Sequence, residues 1–316
     1  MKNADCYMNG GFMSLEDAKV SILDRGFSSG EGVYDVTRSF GHKLFKLKEH
    51  VDRLYRSIRY THIPCDMPIE EMMKLSIEVF ERNKGSLGPD DDVALWQIVS
   101  RGPVPGKGAP ANPTVVIYCV PVAFPGFARG YLDGIKLVIP STRRTPPQCL
   151  DAKAKVCNKM NHAIALYEAQ QVDPRAIPLM LDLDGNISET NSSNFFFVSN
   201  GTLCTATDRN VLGGVTRSTV IDLARDLKIP VQEGNFTPYD VCVAEEAFVA
   251  GTSPTVLPVV SVNGTKIGSS LPGPVTMQLI KAFNKIVGLD YVAQALKHVK
   301  DMDKQSAQTE WQKRLG

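Results

Sequence analysis

Between residues 49 and 60 the apolar side chains fall at Val51, Leu54, Tyr55 and Ile58. That is the i, i+3, i+4, i+7 spacing of one helix face, and it predicts a helix there. Similar patterns predict helices over 68–83, 158–171, 216–227 and 274–287. Shorter stretches rich in β-branched and aromatic residues read as strands: VYDVTRSF (33–40), KLFKLK (43–48), 93–100, 114–120, LMLDLDG (179–185), FFFVSNGTLCTA (195–206) and EAFVAG (246–251). Residues 7–23 read as a hairpin with Asn9-Gly10 at its turn. The tail beyond Leu289 reads as a polar helix.

The order of these elements predicts two α+β lobes. The stretch 121–134, PVAFPGFARGYLDG, is dense in proline and glycine and is the linker candidate. It divides a small lobe over 1–120 from a larger one over 135–288, followed by a helical tail over 289–316. A length of 316 residues suits two domains better than one.

Composition narrows the function classes. With 35 basic and 34 acidic residues and no block of like charge, neither a nucleic acid nor a membrane surface has electrostatic support as a partner. No apolar run approaches the roughly 20 residues that span a bilayer, and the N-terminal stretch lacks the apolar core of a secretory signal. Seven scattered cysteines, without a Cys-x-x-Cys pair, predict free thiols in a reducing cytoplasm and no zinc site.

Five features carry chemistry. Lys155 precedes the helical pattern at 158–171, with Lys153 and Lys159 as close competitors; most lysines are only solvated charges. Glu189 opens an apolar stretch, where a carboxylate is costly unless paired. Leu212-Gly213-Gly214-Val215-Thr216-Arg217 leads into a helix, and a glycine turn at a helix N-terminus presents N–H groups to an anion, with Thr216 as cap and phosphate ligand together. Gly251-Thr252-Ser253 offers a second set of donors, and Arg53 is one of three arginines on the helix at 49–60. An amine for a Schiff base, a carboxylate for a pyridinium and two phosphate turns are what pyridoxal phosphate chemistry requires.

The chain resembles the class IV aminotransferases, the fold-type IV pyridoxal phosphate family. The resemblance rests on Asp24-Arg25-Gly26-Phe27, Gly30-Glu31-Gly32-Val33-Tyr34, Glu49-His50-Val51-Asp52-Arg53-Leu54, Glu168-Ala169, Glu189 through Asn194, the Gly-Gly-Val-Thr-Arg turn, and Gly251-Thr252 ahead of Pro258-Val259. It implies an α+β fold with a small N-terminal lobe and a larger lobe built around a β-barrel. It also implies a homodimer. By position it makes Lys155 the Schiff-base lysine and Glu189 the partner of the pyridine nitrogen. Arg53, Val215, Thr216, Gly251 and Thr252 become phosphate ligands, with Leu212 against the ring. Tyr34, Arg101 and Ser253 become substrate residues, and no metal is implied.

The activity implied is transfer of an amino group between an amino acid or amine and a 2-keto acid by a ping-pong mechanism. Substrate stays open at this point. Val99-Ser100-Arg101-Gly102 is similar to the strand end at which D-amino-acid aminotransferases, and some amine transaminases, bind a carboxylate, yet the following loop PVPGKGAPANP lacks the histidine of the D-amino-acid enzymes. Leu95-Trp96-Gln97 replaces the Tyr and Arg pattern of branched-chain enzymes, and Arg143-Arg144-Thr145-Pro146 is similar to (R)-amine transaminases. A lyase of the aminodeoxychorismate type, releasing pyruvate, is the alternative.

Overall fold

The computed structural model describes residues 4–103, 112–300 and 302–315. Its contacts divide the chain into two compact units: Met1–Val122 with Ala154–Lys159, and Ala123–Lys153 with Met160–Gly316.

The first unit opens with a hairpin of β1 (Asp5–Met8) and β2 (Gly11–Ser14). Its turn places Asn9 and Gly10 at φ 48° and 99°, the left-handed pair that matches strand twist. The chain leaves the sheet after Ser14 instead of continuing as strand, and reaches the short α1 (Arg25–Ser28), which Asp24 caps through the Gly26 N–H. Then follow β3 (Gly32–Phe40), β4 (Lys43–Leu44), α2 (Leu47–Tyr60), α3 (Ile69–Lys84), β5 (Val93–Ser100) and β6 (Thr114–Pro121). KLFKLK is therefore not one strand: Lys46 turns left-handed at φ 53° and Leu47 begins the helix.

The strands form one antiparallel sheet in the order β2-β1-β6-β5-β3-β4. Alternation decides its two faces. Val93, Leu95 and Val99 with Val115, Ile117 and Cys119 pack in one core with Val51, Leu54 and Ile58 of α2 and Met72, Leu75 and Val79 of α3. Tyr34, Trp96 and Tyr118 alternate with that set and lie in a row on the other face, as stacked neighbours.

The second unit begins with a 3-10 turn at Phe124–Gly126 and α4 (Gly130–Asp133), so the Pro/Gly-rich stretch is ordered, with Phe124 and Tyr131 buried. It continues through β7 (Ile135–Val138), α5 (Met160–Val172), β8 (Ile177–Leu181), β9 (Ile187–Thr190), β10 (Asn194–Ser199), β11 (Thr202–Ala206), α6 (Val215–Asp226), β12 (Val231–Gly234), α7 (Pro238–Cys242), β13 (Glu246–Gly251), β14 (Thr255–Val262) and β15 (Thr265–Lys266). Then come α8 (Pro274–Val287), α9 (Tyr291–Leu296) and α10 (Lys304–Leu315).

Six of these strands close on themselves, because β7 pairs with both β8 and β14, and β9 pairs with both β8 and β10, while β13 joins β10 to β14. The result is a six-stranded barrel, which leaves those strands no unpaired edge. The β9–β10 seam is a single residue pair, Glu189 opposite Asn194.

The tail is not a single polar helix. It breaks into α9 and α10, and Trp311 is fully buried with its indole N–H donating to Asp290 at 3.0 Å.

Candidate active site

In the first unit Lys155 extends the sheet. The Tyr34 N–H donates to the Lys155 carbonyl at 3.0 Å, the Cys157 N–H donates to the Gly32 carbonyl at 2.8 Å, and Val156 bridges Val33. The Lys155 N–H donates to Ser57 Oγ at 3.0 Å, tying it to α2. Gly32 packs closely here: a β-carbon would stand 3.1 Å from Cys157 Sγ. This frame holds Lys155 Nζ over the Tyr34 ring, 4.5 Å from its centroid. Lys153 belongs to the other unit and pairs with Asp208 at 3.4 Å.

Arg53 is buried on α2 and engages Asp35 of β3 through two bonds of 2.8 Å, from Nε and from Nη2. His50 Nδ1 lies 2.7 Å from the same carboxylate. Burial pushes the Asp35 carboxyl upward, but the charges and hydrogen bonds of Arg53 and His50 together outweigh it and hold the group well below the usual carboxylate range. Burial moves His50 the opposite way from its carboxylate partner and prevails, with Arg53 and Lys155 adding to it, so its pKa is lowered. Neither Asp35 nor His50 was singled out from the sequence; an acidic residue inside a strand pattern was the available signal.

Arg101 sits at the end of β5. Its Nε donates to Glu31 at 2.7 Å and its Nη2 to the Thr61 carbonyl at 3.0 Å. Glu31 also pairs with Arg25, so two guanidiniums share one carboxylate. Most of the loop that follows, 104–111, lies outside the described residues.

In the second unit Glu189 stands at the barrel seam, 5% exposed. Arg144 Nε donates to its Oε1 at 3.0 Å; the Leu212 N–H and Asn194 Nδ2 donate to its Oε2 at 3.0 and 3.2 Å. Three donors, one of them cationic, fix the position of both carboxyl oxygens. A carboxylate offers about four acceptor positions, and three donors reach it among the described residues. Asn194 also donates to the Leu212 carbonyl at 2.9 Å and so ties the seam to the glycine turn. Arg144 and Asn194 stood inside motifs quoted from the sequence, but nothing in their spacing marked them as partners of Glu189.

Gly214 is the N-cap of α6, and no side chain caps that helix. Thr216 is therefore not the cap; it lies in the first turn beside Val215, both buried. A β-carbon on Gly214 would collide with Asn194 Oδ1, and one on Gly251 with Ser193 Oγ. Ser193 and Asn194 adjoin in sequence, and Asn194 faces Ala250 in the β10–β13 ladder. The two turns flagged by sequence, 212–216 and 251–253, thus meet around the start of β10.

These residues fit pyridoxal phosphate. An uncapped helix start and two glycine positions without room for a side chain suit an anion, and Glu189 suits a protonated pyridine nitrogen. Leu212, Val215, Thr216, Gly251, Thr252 and Ser253 are gathered with Glu189 in one unit; Tyr34, Arg53, Arg101 and Lys155 lie in the other.

A class IV aminotransferase profile matches residues 32–262, nearly three quarters of the chain, and the chain belongs to that family of pyridoxal phosphate enzymes. Among its relatives is a Methanocaldococcus jannaschii protein provisionally named a branched-chain-amino-acid aminotransferase, 33% identical over 285 residues that span 89% of this chain and 95% of that one. The D-alanine aminotransferase of Listeria monocytogenes is 29% identical, over 87% and 93%. The solved branched-chain amino acid aminotransferase of Escherichia coli superposes with a TM-score of 0.84 at 27% identity, over 96% of this chain and 98% of that one. The T.th. branched-chain amino acid aminotransferase, solved with N-(5'-phosphopyridoxyl)-L-glutamate, gives 0.79 at 28%, over 91% and 95%. The chain is an aminotransferase of branched-chain or D-amino-acid type with the α+β, barrel-containing fold of its family.

Proposed function

We propose that the protein moves an amino group between an amino acid or amine and a 2-keto acid in two half-reactions, with Lys155 as the amine that bonds the cofactor covalently and carries the proton at its Nζ. Bound pyridoxal phosphate supplies an electron sink for the bonds at the substrate's reacting carbon. Glu189 holds the pyridine nitrogen protonated. Val215, Thr216, Gly251 and Thr252 bind phosphate through backbone and hydroxyl donors, Arg53 adds charge to it, and Leu212 packs against the ring. The observation that carries this reading is Glu189 at the barrel seam, held in place by Arg144, Asn194 and Leu212.

For substrate, Arg101 takes a carboxylate, with Tyr34 and Ser253 lining the donor's place. The place of Arg101 at the end of β5, with two guanidiniums sharing the one Glu31 carboxylate, supports that role. Donors are branched-chain amino acids, D-amino acids or (R)-amines. The protein is proposed to act as a homodimer in the cytoplasm. Seven free thiols suit a reducing compartment, and exposed Ile22, Leu23 and Phe27 suit a second copy.

Borohydride reduction and peptide mapping test the lysine. The pyridoxyl group is expected on Lys155; finding it on Lys153 or Lys159 overturns the assignment. A panel of L-amino acids, D-amino acids and (R)-amines, with and without pyruvate or 2-oxoglutarate, tests the reaction. Turnover only with the keto acid is expected, and pyruvate release without one identifies a lyase.

A further inference from the structure

Four groups stand in one column across the sheet of the first unit. Lys155 Nζ lies 4.5 Å from the centroid of Tyr34. Tyr34 stacks on Trp96 with centroids 5.4 Å apart and planes 13° apart, and Trp96 on Tyr118 at 6.0 Å and 10°. The column follows from register: Lys155 lies beside Tyr34 through the Tyr34 N–H bond and the Val33–Val156 bridge, while β3, β5 and β6 supply one ring each. We infer that Trp96 and Tyr118 are positioning residues for Lys155, acting through Tyr34: they hold its ring face-on to the amine and so fix where Nζ stands before any substrate arrives.

Tyr34 has the ammonium on one face and the indole on the other, so its ring cannot turn without losing one of two contacts. A cation is attracted to the negative face of an aromatic ring, and stacked rings hold one another's planes. The buried Trp96 Nε1 has no hydrogen-bond partner among the described residues, so the stacked rings and not a hydrogen bond set its plane. Nothing in the column depends on the indole N–H. What Trp96 contributes is a flat face at the right height, which phenylalanine also supplies and leucine does not.

The inference rests on Lys155 being the reacting amine, but its test does not. Full-length protein without added cofactor is treated briefly with an amine-acylating reagent at fixed pH, and labelling is read at each lysine by peptide mass spectrometry. Lys153 and Lys159 serve as controls in the same chain. Trp96→Leu should raise labelling at Lys155 by roughly two- to tenfold, the loss of a cation–π contact, with Lys153 and Lys159 unchanged. Trp96→Phe should restore the original rate. Tyr118→Leu should act in the same direction but less, and it carries the test if Trp96→Leu raises labelling at every lysine. In loaded enzyme Trp96→Leu should lower kcat, and KM should rise as well because Tyr34 also lines the donor's place. Unchanged Lys155 labelling in both leucine variants, or a Trp96→Phe variant that behaves like Trp96→Leu, overturns the proposal. A pyridoxyl group mapped to another lysine overturns the assigned chemistry and leaves the labelling result standing.

Discussion

Glu189 shows how much one side chain's surroundings decide. Its three donors come from three places, Arg144 before α5, Asn194 opening β10 and the Leu212 N–H in the glycine turn. Glu189→Gln keeps the shape and discards the charge that would hold a pyridinium. Turnover should fall about a hundredfold or more, the scale of losing a preorganised electrostatic partner, while the variant still takes up cofactor. Single-turnover absorbance measurements decide it, and a near-normal rate would make Glu189 structural. Arg101 asks a different question, because Glu31 holds it. Arg101→Ala leaves Glu31 paired with Arg25, so stability should change by less than about 1 kcal/mol, as for other partly exposed pairs. The KM for pyruvate should rise roughly ten- to a hundredfold, the worth of a charge-assisted bond. An amine donor without a carboxylate should be nearly indifferent in its own half-reaction; an equal loss for both donors would place the carboxylate elsewhere.

Among the elements, α2 and β3 are joined by the buried Asp35, Arg53 and His50. Arg53→Ala leaves the buried Asp35 carboxylate without its guanidinium and with His50 as its remaining side-chain partner, at a cost of up to about 3–5 kcal/mol, the figure for breaking a buried ion pair. A test of phosphate affinity must therefore follow unfolding as well; urea titration of Arg53→Ala against the double variant Arg53→Ala/Asp35→Asn should show the second change recovering part of the loss. Both pKa shifts are downward, which fixes the sign with pH. Between its lowered folded pKa and its ordinary unfolded one, each group binds more protons unfolded, so stability falls as pH falls. His50 contributes fully above about pH 6.5 and loses its share below, and Asp35 contributes fully above about pH 4 and loses its share further down. Urea unfolding from pH 8 to pH 5 should slope downward in the natural protein and be flatter in His50→Asn. The pairing of these two residues was not legible beforehand because strand alternation announces which face a residue occupies, and not which helix side chain meets it. The same limit explains the other misses. The apolar spacing of α2 was legible, but the left-handed Lys46 that cuts KLFKLK short was not. Trp311 was lost in a polar tail because one tryptophan makes no period. What sequence carried well were residues with a local signature: Asn9-Gly10 at its turn, Gly213-Gly214 at a helix start, and the exact limits of β5, β13 and α8.

For the whole molecule the open question is assembly. Along α5 the exposed side chains Met160, Ile164 and Tyr167 are 65%, 44% and 62% accessible, at the i, i+4, i+7 spacing that puts them on one face. In the first unit Ile22, Leu23 and Phe27 are 77%, 68% and 74% accessible within six residues. Scattered exposed apolar residues are ordinary, but grouped ones mark contact surfaces. A near-neutral chain, +1 at pH 7, has little self-repulsion to oppose association. If a second copy covers both groups, sedimentation should give twice the chain's 34.6 kDa. Ile164→Lys with Tyr167→Lys, or Leu23→Lys with Phe27→Lys, should shift the mass toward the single chain without unfolding it, since these side chains are already in water in the isolated chain. Each pair is read separately because the two groups belong to different units. A chain that sediments singly at micromolar concentration, or a dimer that neither pair weakens, would send these apolar faces to some other use.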